Sequence, residues 1–351
     1  MRNYQLIGIF IVGLIVLGFY IYIRNPFVTE RSDLVVSDYT EGGDLVESSG
    51  ELHPLSIESL RQREYDSNIK IEQKLSDGSN YERFIASYSS DGYKVYGLLT
   101  VPKTKSGSIL LPAIVFNHGY IPPDEYRTLQ RYVAYVDYLA RNGYVVFKID
   151  YRGHGDSEGQ AEGGYGSNAY VIDSLNAVSA LSKLSYVNKN SIGMWGHSMG
   201  GWVSTRAAIS KPDMVKAVVV WGGVLGSYQD LVDLWWSRRP TPVNSMWQSR
   251  GKWRQSLIDQ YGPISDDNSF WQSVSTVYYL KDLQSPIQLH HSKGDSTVPY
   301  QLSEKFAENL EKLGKVYELY LYEGDNHNIS VNFSTAMKRT VEFFDKYLKQ
   351  N

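Results

Sequence analysis

Two hydrophobic patterns alternate along the body of the chain. Short, nearly continuous apolar runs suit strands that are buried on both faces of a parallel sheet. These runs are Ala113 to Phe116, Tyr144 to Ile149, Ile192 to Trp195, Ala217 to Trp221 and Ile287 to Leu289. Between them, residues 127–141, 170–184, 202–209 and 335–348 repeat apolar positions at helical spacing. The alternation predicts an α/β fold in which helices cover both faces of a mostly parallel sheet.

A hairpin precedes the first buried strand. Residues Glu82 to Tyr88 and Tyr93 to Val101 alternate apolar and polar positions around a turn at 89–92 that ends in Asp-Gly. The regular pattern starts near Tyr81, so we expect one folded domain over 81–351. Residues 25–80 are expected to form a polar tether and lead-in segment, with little structure up to about residue 53.

The N-terminus has a different character. Leu6 to Ile23 is 18 residues long, carries no charge and is flanked by Arg2 and Arg24. At the helical rise it would extend roughly 27 Å, close to the thickness of a bilayer core. A cleaved secretory signal is the alternative, but the run is long for one and no small-residue cleavage site follows it. We expect residues 1–24 to be a single transmembrane anchor that places the folded domain outside the cytoplasm.

Charge and composition narrow the possible partners. The 351 residues include 35 Lys and Arg against 38 Asp and Glu, so no basic excess favours nucleic acid as a partner. The chain has no cysteine, which excludes disulfides, thiolate metal ligands and a cysteine nucleophile. A mean hydropathy of −0.34 is that of a water-soluble domain, to which the N-terminal segment is a local exception.

One junction between a strand and a helix carries the strongest chemical signal. The apolar run 192–195 leads into Gly196-His-Ser-Met-Gly200, and a helical segment follows. In a Gly-x-Ser-x-Gly turn the serine is held at strained dihedral angles, and glycine at the flanking positions avoids a clash. Ser198 would project at a helix N-terminus, where free N–H groups favour developing negative charge. We predict that Ser198 is a nucleophile.

A serine nucleophile needs a base, and the base needs an orienting acid. In this architecture the chain order is serine, acid, histidine. Of the seven histidines, His327 is the one that follows a suitable acid, in a polar loop before the last helix. Asp295, in the turn after the strand at 287–289, is the predicted acid. Asp325 is the rival, but it lies too close to His327 in sequence to reach the ring nitrogen that faces away from Ser198.

Two further turns belong to the same predicted site. The strand at 113–116 ends in His118 and Gly119, and in this architecture the N–H groups of Tyr120 and Met199 would stabilise an oxyanion. The glycine-rich segment 150–159 is expected to be a structural turn beside the site. No metal or cofactor is expected, because a strand end and an acid turn explain the closely spaced His290, His291 and Asp295 without an ion.

Over residues 82 to 350 these motifs resemble the α/β-hydrolase superfamily, and within it the catalytic domain of the prolyl oligopeptidase (S9) family and acylaminoacyl-peptidase-like hydrolases. The resemblance is carried by Asn117 to Gly119, Asp150 to Gly155, Ile192 to Gly201, Gly294 and Asp295 with Val298 and Pro299, and Gly324 to His327. It implies that Ser198, Asp295 and His327 form a catalytic triad. Two departures leave the specificity for peptides open: about 60 preceding residues cannot build the family's β-propeller, and the oxyanion turn reads His-Gly-Tyr instead of His-Gly-Gly.

A tryptophan-rich insertion is expected between the strand at 217–221 and the acid strand. Six of the eight tryptophans fall between Trp221 and Trp271, and we expect a helical cap over about 223–284. In one interpretation Trp235 and Trp236 bind apolar or ring-shaped substrate groups, and Arg238 or Arg239 faces a substrate carboxylate. In the other, the tryptophans pack on the core and the cations face water.

Together these features predict a membrane-anchored serine hydrolase that acts on a small peptide or ester. Cleavage of peptide or amide bonds through an acyl-enzyme follows from the resemblance, and ester hydrolysis at the same site is the alternative. A non-catalytic binding protein on a hydrolase scaffold is a second class of function, but such a protein need not keep a complete triad.

Overall fold

The computed structural model describes residues 52–103, 110–162, 164–237 and 245–349, and for 245–251 it describes the backbone alone. The chain divides after Gly50, and residues 51–351 form one compact unit. The expected transmembrane segment, Leu6 to Ile23, lies outside the described residues. In the described ranges, no helix is long and apolar enough to cross a membrane.

Nine strands of the described chain form a single sheet. They are β1 (Lys70–Lys74), β2 (Tyr81–Ser90), β3 (Tyr93–Pro102), β4 (Leu111–Asn117), β5 (Val145–Ile149), β6 (Val187–His197), β7 (Val218–Trp221), β8 (Ile287–Ser292) and β9 (Tyr317–Tyr322). Their order in the sheet is β1-β2-β3-β5-β4-β6-β7-β8-β9. The pairs from β1 to β5 are antiparallel, and those from β5 through β9 are parallel. Every residue of β4, β5, β7 and β8 is buried, as the continuous apolar runs predicted.

Helices cover both faces of the sheet. They are α1 (Ile57–Gln62), α2 (Val133–Arg141), α3 (Ala169–Ser182), α4 (Met199–Ser210), α5 (Tyr228–Leu231), α6 (Ser245–Tyr261), α7 (Ser269–Val274), α8 (Gln301–Lys312) and α9 (Phe333–Leu348). One core cluster contains buried side chains of α1, α3, α4 and α8. A second cluster contains those of α2 and α9. The fold is therefore a sheet between two helical layers, and the last helix closes the second layer.

The helix expected over 127–141 is shorter in the structure. It begins at Val133, because Arg131 and Tyr132 have φ angles of 58° and 54°. Left-handed backbone is unfavourable for residues other than glycine and ends a right-handed helix. The segment before it runs as a loop from Tyr120 to Tyr132, and this loop follows the β4 strand into the site.

The folded unit begins near residue 51, not at residue 81 as the sequence pattern predicted. Ser56 caps α1 by accepting a hydrogen bond from the backbone N–H of Ser59. Leu55, Ile57 and Leu60 are then fully or almost fully buried, and Ile57 and Leu60 join the core cluster of α3 and α4. Because the segment 52–80 supplies core side chains and the edge strand β1, it is part of the domain and not a tether.

The expected cap is helical. Between β7 and β8 the chain forms α5, a π-helical turn (Val232–Trp236), α6, α7 and a 3-10 helix (Thr276–Asp282). These elements fall within the 223–284 interval predicted from the tryptophan-rich sequence. Residues 238–244, including Arg238 and Arg239, lie outside the described residues.

Candidate active site

Ser198 occupies a strained turn between β6 and α4. Its backbone has φ 55° and ψ −117°, and its N–H donates to the carbonyl of Trp221 over 2.9 Å. A Cβ on Gly196 would lie 2.2 Å from the carbonyl oxygen of Gly200, and one on Gly200 would lie 1.9 Å from that of Asn117. Backbone strain of this kind persists where the surroundings over-determine it. The two glycines allow the tight turn that leaves Ser198 partly exposed.

His327 and Asp295 form a direct pair. The Nδ1 of His327 lies 2.6 Å from Oδ2 of Asp295, whose side chain is completely buried. The other carboxylate oxygen of Asp295 accepts the backbone N–H groups of Thr297 and Val298 over 2.7 and 2.9 Å. Both oxygens are therefore engaged, and the carboxylate can turn only by breaking several bonds at once.

A second histidine also holds this carboxylate. The Nε2 of His291 lies 3.1 Å from Oδ2 of Asp295 and 3.0 Å from the carbonyl oxygen of Val298. Both partners are acceptors, so Nε2 carries a proton, and Nδ1 lies 2.7 Å from the hydroxyl of Ser303. Burial alone would raise the pKa of Asp295, but the hydrogen bonds from His291 and His327 outweigh it and hold the pKa well below its ordinary value.

The loop after β9 brings His327 back across the strand ends to the serine turn that follows β6. The rings of His327 and His197 have centroids 4.5 Å apart, and His197 precedes Ser198. A Cβ on Gly222 would lie 3.1 Å from Nδ1 of His327, and Gly222 follows the Trp221 carbonyl that binds the N–H of Ser198. The three predicted triad residues thus follow the carboxyl ends of β6, β8 and β9, where ligand sites of such folds lie, and Asp295 and His327 are in direct contact there.

The rival acid, Asp325, has a different set of partners. Its carboxylate accepts the backbone N–H groups of Asn326, Val331 and Asn332 and the side-chain amide of Asn332. Burial would raise the pKa of Asp325, but the hydrogen bonds from Asn332 and the backbone outweigh it and lower the pKa. The hydrogen bonds of Asp325 therefore stabilise the conformation of the loop that carries His327.

The predicted oxyanion turn lies against Ser198. A Cβ on Gly119 would lie 3.2 Å from the Cβ of Ser198, so the glycine allows this close approach. The Nδ1 of His118 lies 2.6 Å from the carbonyl oxygen of Gly119 and donates to it. Because the C=O and N–H of a trans peptide point in opposite directions, this bond turns the N–H of Tyr120 away from His118. Met199, the other predicted donor, is the first residue of α4.

A buried polar cluster holds the loop from Tyr120 to Tyr132 against the end of β5. The carboxylate of Asp150 accepts the hydroxyls of Tyr126 and Thr128 over 2.7 and 2.5 Å. The Nζ of Lys148 donates to the Tyr126 hydroxyl over 3.1 Å. Burial raises the pKa of Asp150 to about 6, partly offset by Lys148, and lowers the pKa of Lys148 to about 8, partly offset by Asp150.

The segment 150–159 is a structural turn, as its glycines indicated. Gly153, Gly155 and Gly159 have positive φ angles. Arg152, which is almost fully buried, binds the buried carboxylate of Asp173 on α3 over 2.7 Å. This ion pair fixes the turn to the helix that follows it.

The predicted cap residues have unequal surroundings. Trp235 is 9% exposed, its Nε1 donates to the carbonyl of Thr297 over 2.7 Å, and it packs with Val224 and Val298. Trp236 is half-buried, and the guanidinium of Arg254 lies 4.1 Å from its ring centroid. Trp235 therefore connects the cap to the Asp295 turn, whereas Trp236 keeps an accessible surface.

Tyr132 and the roles of His197 and His291 were not predicted from the sequence. Tyr132 lay inside a predicted helix, and its position depends on left-handed backbone that no local pattern indicates. His291 could have been found, since it lies one turn before the predicted acid at the end of a buried strand.

Comparison with known proteins identifies the family of the chain. A sequence model of the prolyl oligopeptidase family matches residues 131–351. The chain is 26% identical over 259 residues to the uncharacterized peptidase YtmA of Bacillus subtilis, covering 72% of this chain and 88% of that protein. It is 25% identical over 244 residues to human protein ABHD12B, covering 67% and 61%. It is 25% identical over 203 residues to human mitochondrial palmitoyl-protein thioesterase ABHD10, covering 57% and 62%. The chain thus spans about six tenths of the length of both human relatives.

Solved structures confirm the predicted α/β-hydrolase fold. The acylaminoacyl peptidase of Pyrococcus horikoshii superposes with a TM-score of 0.60 at 22% identity, covering 80% of this chain and 45% of that chain. The acetyl xylan esterase from Paenibacillus sp. R4 superposes with a TM-score of 0.60 at 19% identity, covering 83% and 92%.

Proposed function

Because this chain belongs to the prolyl oligopeptidase family and is a serine hydrolase, we propose that it cleaves peptide or amide bonds through an acyl-enzyme formed on Ser198. His327 is the general base and Asp295 its orienting acid in this proposal. The observation that carries it is the 2.6 Å contact between His327 and the buried Asp295, made beside a serine at strained dihedral angles.

The reaction follows from the protonation of these groups. The Asp295 carboxylate accepts the Nδ1 proton of His327, which leaves Nε2 free to take the proton of the Ser198 hydroxyl. The serine oxygen attacks the acyl carbon, and the N–H groups of Tyr120 and Met199 stabilise the oxyanion. His327 then protonates the departing amine, and water hydrolyses the acyl-serine by the same route.

A fluorophosphonate probe tests the nucleophile. We expect the folded wild type to be labelled covalently and Ser198→Ala to remain unlabelled. Ser79→Ala is the matched control, because it changes an exposed serine that is distant from Ser198 in sequence. This variant should be labelled like the wild type. Labelling of Ser198→Ala at the wild-type rate would place the nucleophile elsewhere.

Ester hydrolysis is the second candidate. The same triad and oxyanion donors serve esters, thioesters and amides, and one relative is named a palmitoyl-protein thioesterase. Parallel measurement of kcat/KM on aminoacyl anilides and on short acyl esters separates the two. Higher kcat/KM on anilides would support the peptidase, and hydrolysis of esters alone would replace it with the esterase.

The cap is proposed to wall the substrate pocket through Trp236. The partly exposed ring, with Arg254 over one face, offers apolar area and a cation to a substrate. Trp236→Ala should then raise KM on the best substrate, whereas Trp271→Ala, which removes a fully buried ring, should lower stability instead. An unchanged KM for Trp236→Ala would leave only a packing role.

We also propose that Leu6 to Ile23 anchors the enzyme to a membrane with the hydrolase domain outside the cytoplasm. The uncharged length of this segment is the support. The full chain should sediment with membranes and require detergent for release, and deletion of residues 1–24 should make it soluble. Protease added to intact cells should reach the domain, and full protection would reverse the orientation.

A further inference from the structure

A continuous row of hydrogen bonds joins the oxyanion turn to the loop of His327. The backbone N–H of Gly119 donates to the hydroxyl of Tyr132 over 3.0 Å. That hydroxyl lies 2.7 Å from Nδ1 of His197, and Nε2 of His197 lies 3.0 Å from the carbonyl oxygen of His327. Two side chains therefore span the distance between the two halves of the site.

The direction of every proton in this row is determined by its ends. The His327 carbonyl is only an acceptor, so Nε2 of His197 must carry the proton. In a neutral ring Nδ1 is then an acceptor, and the Tyr132 hydroxyl donates to it. The Tyr132 oxygen in turn accepts from Gly119, so each polar atom has a partner of the right kind. Burial, together with the neighbouring His327, lowers the pKa of His197 to about 3, which keeps the ring neutral.

Tyr132 reaches this position through strained backbone. Arg131 and Tyr132 are consecutive non-glycine residues in the left-handed region, immediately before α2. A Cβ on Gly119 would lie 2.8 Å from the Tyr132 hydroxyl and 3.0 Å from Nδ1 of His197, so the three groups are in close contact. Strain that persists in a fold is offset by the contacts it makes possible, and here those contacts are beside the nucleophile.

Neither side chain has a role in the proton transfers described above. His197 is adjacent to Ser198, but its ring points to the His327 carbonyl and to Tyr132. We propose that Tyr132 and His197 are positioning residues that fix the oxyanion turn and the His327 loop relative to each other. This inference rests on the proposed function, since it assigns them to the same serine chemistry.

The physical consequence is a shared geometry. The hydrogen bond from the Gly119 N–H fixes the peptide that precedes the one carrying the N–H of Tyr120, the proposed oxyanion donor, in a turn that lies against Ser198. The hydrogen bond from His197 to the His327 carbonyl fixes the position of the loop that carries the base. A displacement of about 1 Å in either part can lower the rate by about a hundredfold without changing what binds. The row therefore affects kcat more than KM.

The test compares Tyr132→Phe, His197→Gln and the double variant. Phenylalanine removes the hydroxyl and keeps the ring. Glutamine carries both a donor and an acceptor, but its flexible side chain does not hold them in the fixed positions of the two ring nitrogens that bind the His327 carbonyl and Tyr132. Tyr144→Phe is the matched control, because its hydroxyl binds Asp345 on α9 and not the site. For each variant, kcat, KM, the rate constant of fluorophosphonate labelling and Tm are measured.

We expect Tyr132→Phe and His197→Gln each to lower kcat and the labelling rate by about tenfold to a hundredfold with KM within about twofold. The double variant should be no slower than the slower single variant, because both changes cut the same connection. Tyr144→Phe should keep wild-type kinetics. If Tyr132→Phe does not fold, His197→Gln decides alone.

Wild-type kinetics for Tyr132→Phe or His197→Gln, or additive losses in the double variant, would overturn the proposal. A fall in Tm with unchanged kcat and labelling would reduce the pair to a structural role, which also overturns it. Failure of the wild type itself to label would instead refute the proposed function, so the two results are distinguishable.

Discussion

Among single residues, Asp295 has hydrogen bonds at both of its carboxylate oxygens. One of its oxygens binds two backbone N–H groups, and the other is shared by His291 and His327. Its pKa lies below the ordinary value despite burial, so the carboxylate stays ionised throughout the range in which enzymes are assayed. An ionised, immobile acceptor is what holds a histidine in one tautomer.

Asp295→Asn should therefore lower kcat by about ten thousandfold with little change in fold. The amide can offer a donor to Nδ1 of His327, which selects the wrong tautomer and leaves Nε2 protonated. Steady-state kinetics together with circular dichroism check this. A loss of less than tenfold in a folded variant would show that Asp295 is not the acid that orients His327.

Asp325→Asn distinguishes the two acids considered from the sequence. Asp325 binds only groups of its own loop, so we expect a loss of about tenfold in kcat and about 1–3 kcal/mol of stability. Its pKa is lowered, so its contribution to stability is complete above the unfolded pKa of about 4 and disappears as the pH falls through the folded value. The stability difference from the wild type, measured by urea unfolding, should shrink below about pH 4. A kcat loss as large as that of Asp295→Asn would contradict this assignment.

Local sequence could predict the contact between Asp295 and His327 and the strained turn at Ser198, because each of these residues ends a strand or occupies a turn with characteristic residue types. It could not predict Tyr132, because nothing in residues 127–141 marks the two left-handed residues that redirect the chain. The helical spacing there is real, but the chain uses only its second half as a helix.

At the scale of elements, the carboxyl end of β5 combines a buried cation and a buried carboxylate. Lys148 and Asp150 flank Ile149 and meet through the hydroxyl of Tyr126. The nearly continuous apolar pattern of β5 predicted a buried strand. The strand also contains Lys148, and hydrophobicity alone would not have predicted that a lysine is buried there. The pair supports the loop that leads to Tyr132.

Lys148→Met should destabilise the protein more at pH 7.5 than at pH 5. Without the cation, the pKa of Asp150 rises further above its unfolded value of about 4. The folded state then binds more protons than the unfolded state over a wider window, so stability falls more as the pH rises. Each added pKa unit corresponds to about 1.4 kcal/mol.

Urea unfolding at the two pH values measures this difference. Lys338→Met, at an exposed lysine, is the control and should change stability by less than about 0.5 kcal/mol at both. An equal loss for Lys148→Met at pH 5 and pH 7.5 would show that Asp150 does not depend on this lysine.

At the scale of the whole molecule, one buried arginine joins three separate parts of the chain. Arg206 on the nucleophile helix α4 donates to the carbonyl oxygens of Leu55 and Val274 and to the side-chain oxygen of Asn168. Leu55 precedes α1, Val274 ends the cap helix α7, and Asn168 precedes α3. The segment before the sheet is thereby tied to the cap and to the helix α4, which begins directly after Ser198. The sequence pattern could not predict that residues 52–80 belong to the domain, because the segment has only a few buried apolar side chains among many polar ones.

Two truncations test the domain boundary that follows from these contacts. A chain starting at residue 52 keeps Leu55, Ile57 and Leu60 and should fold and label with fluorophosphonate like the full chain. A chain starting at residue 81 loses all three, together with β1 and one acceptor of Arg206. Burying each side chain contributes about 1.5–3 kcal/mol, so the loss of roughly 5–9 kcal/mol approaches the whole stability of a typical domain. Expression yield, Tm and labelling rate measure the outcome. If the chain starting at residue 81 is as stable and as reactive as the one starting at residue 52, the domain begins at residue 81.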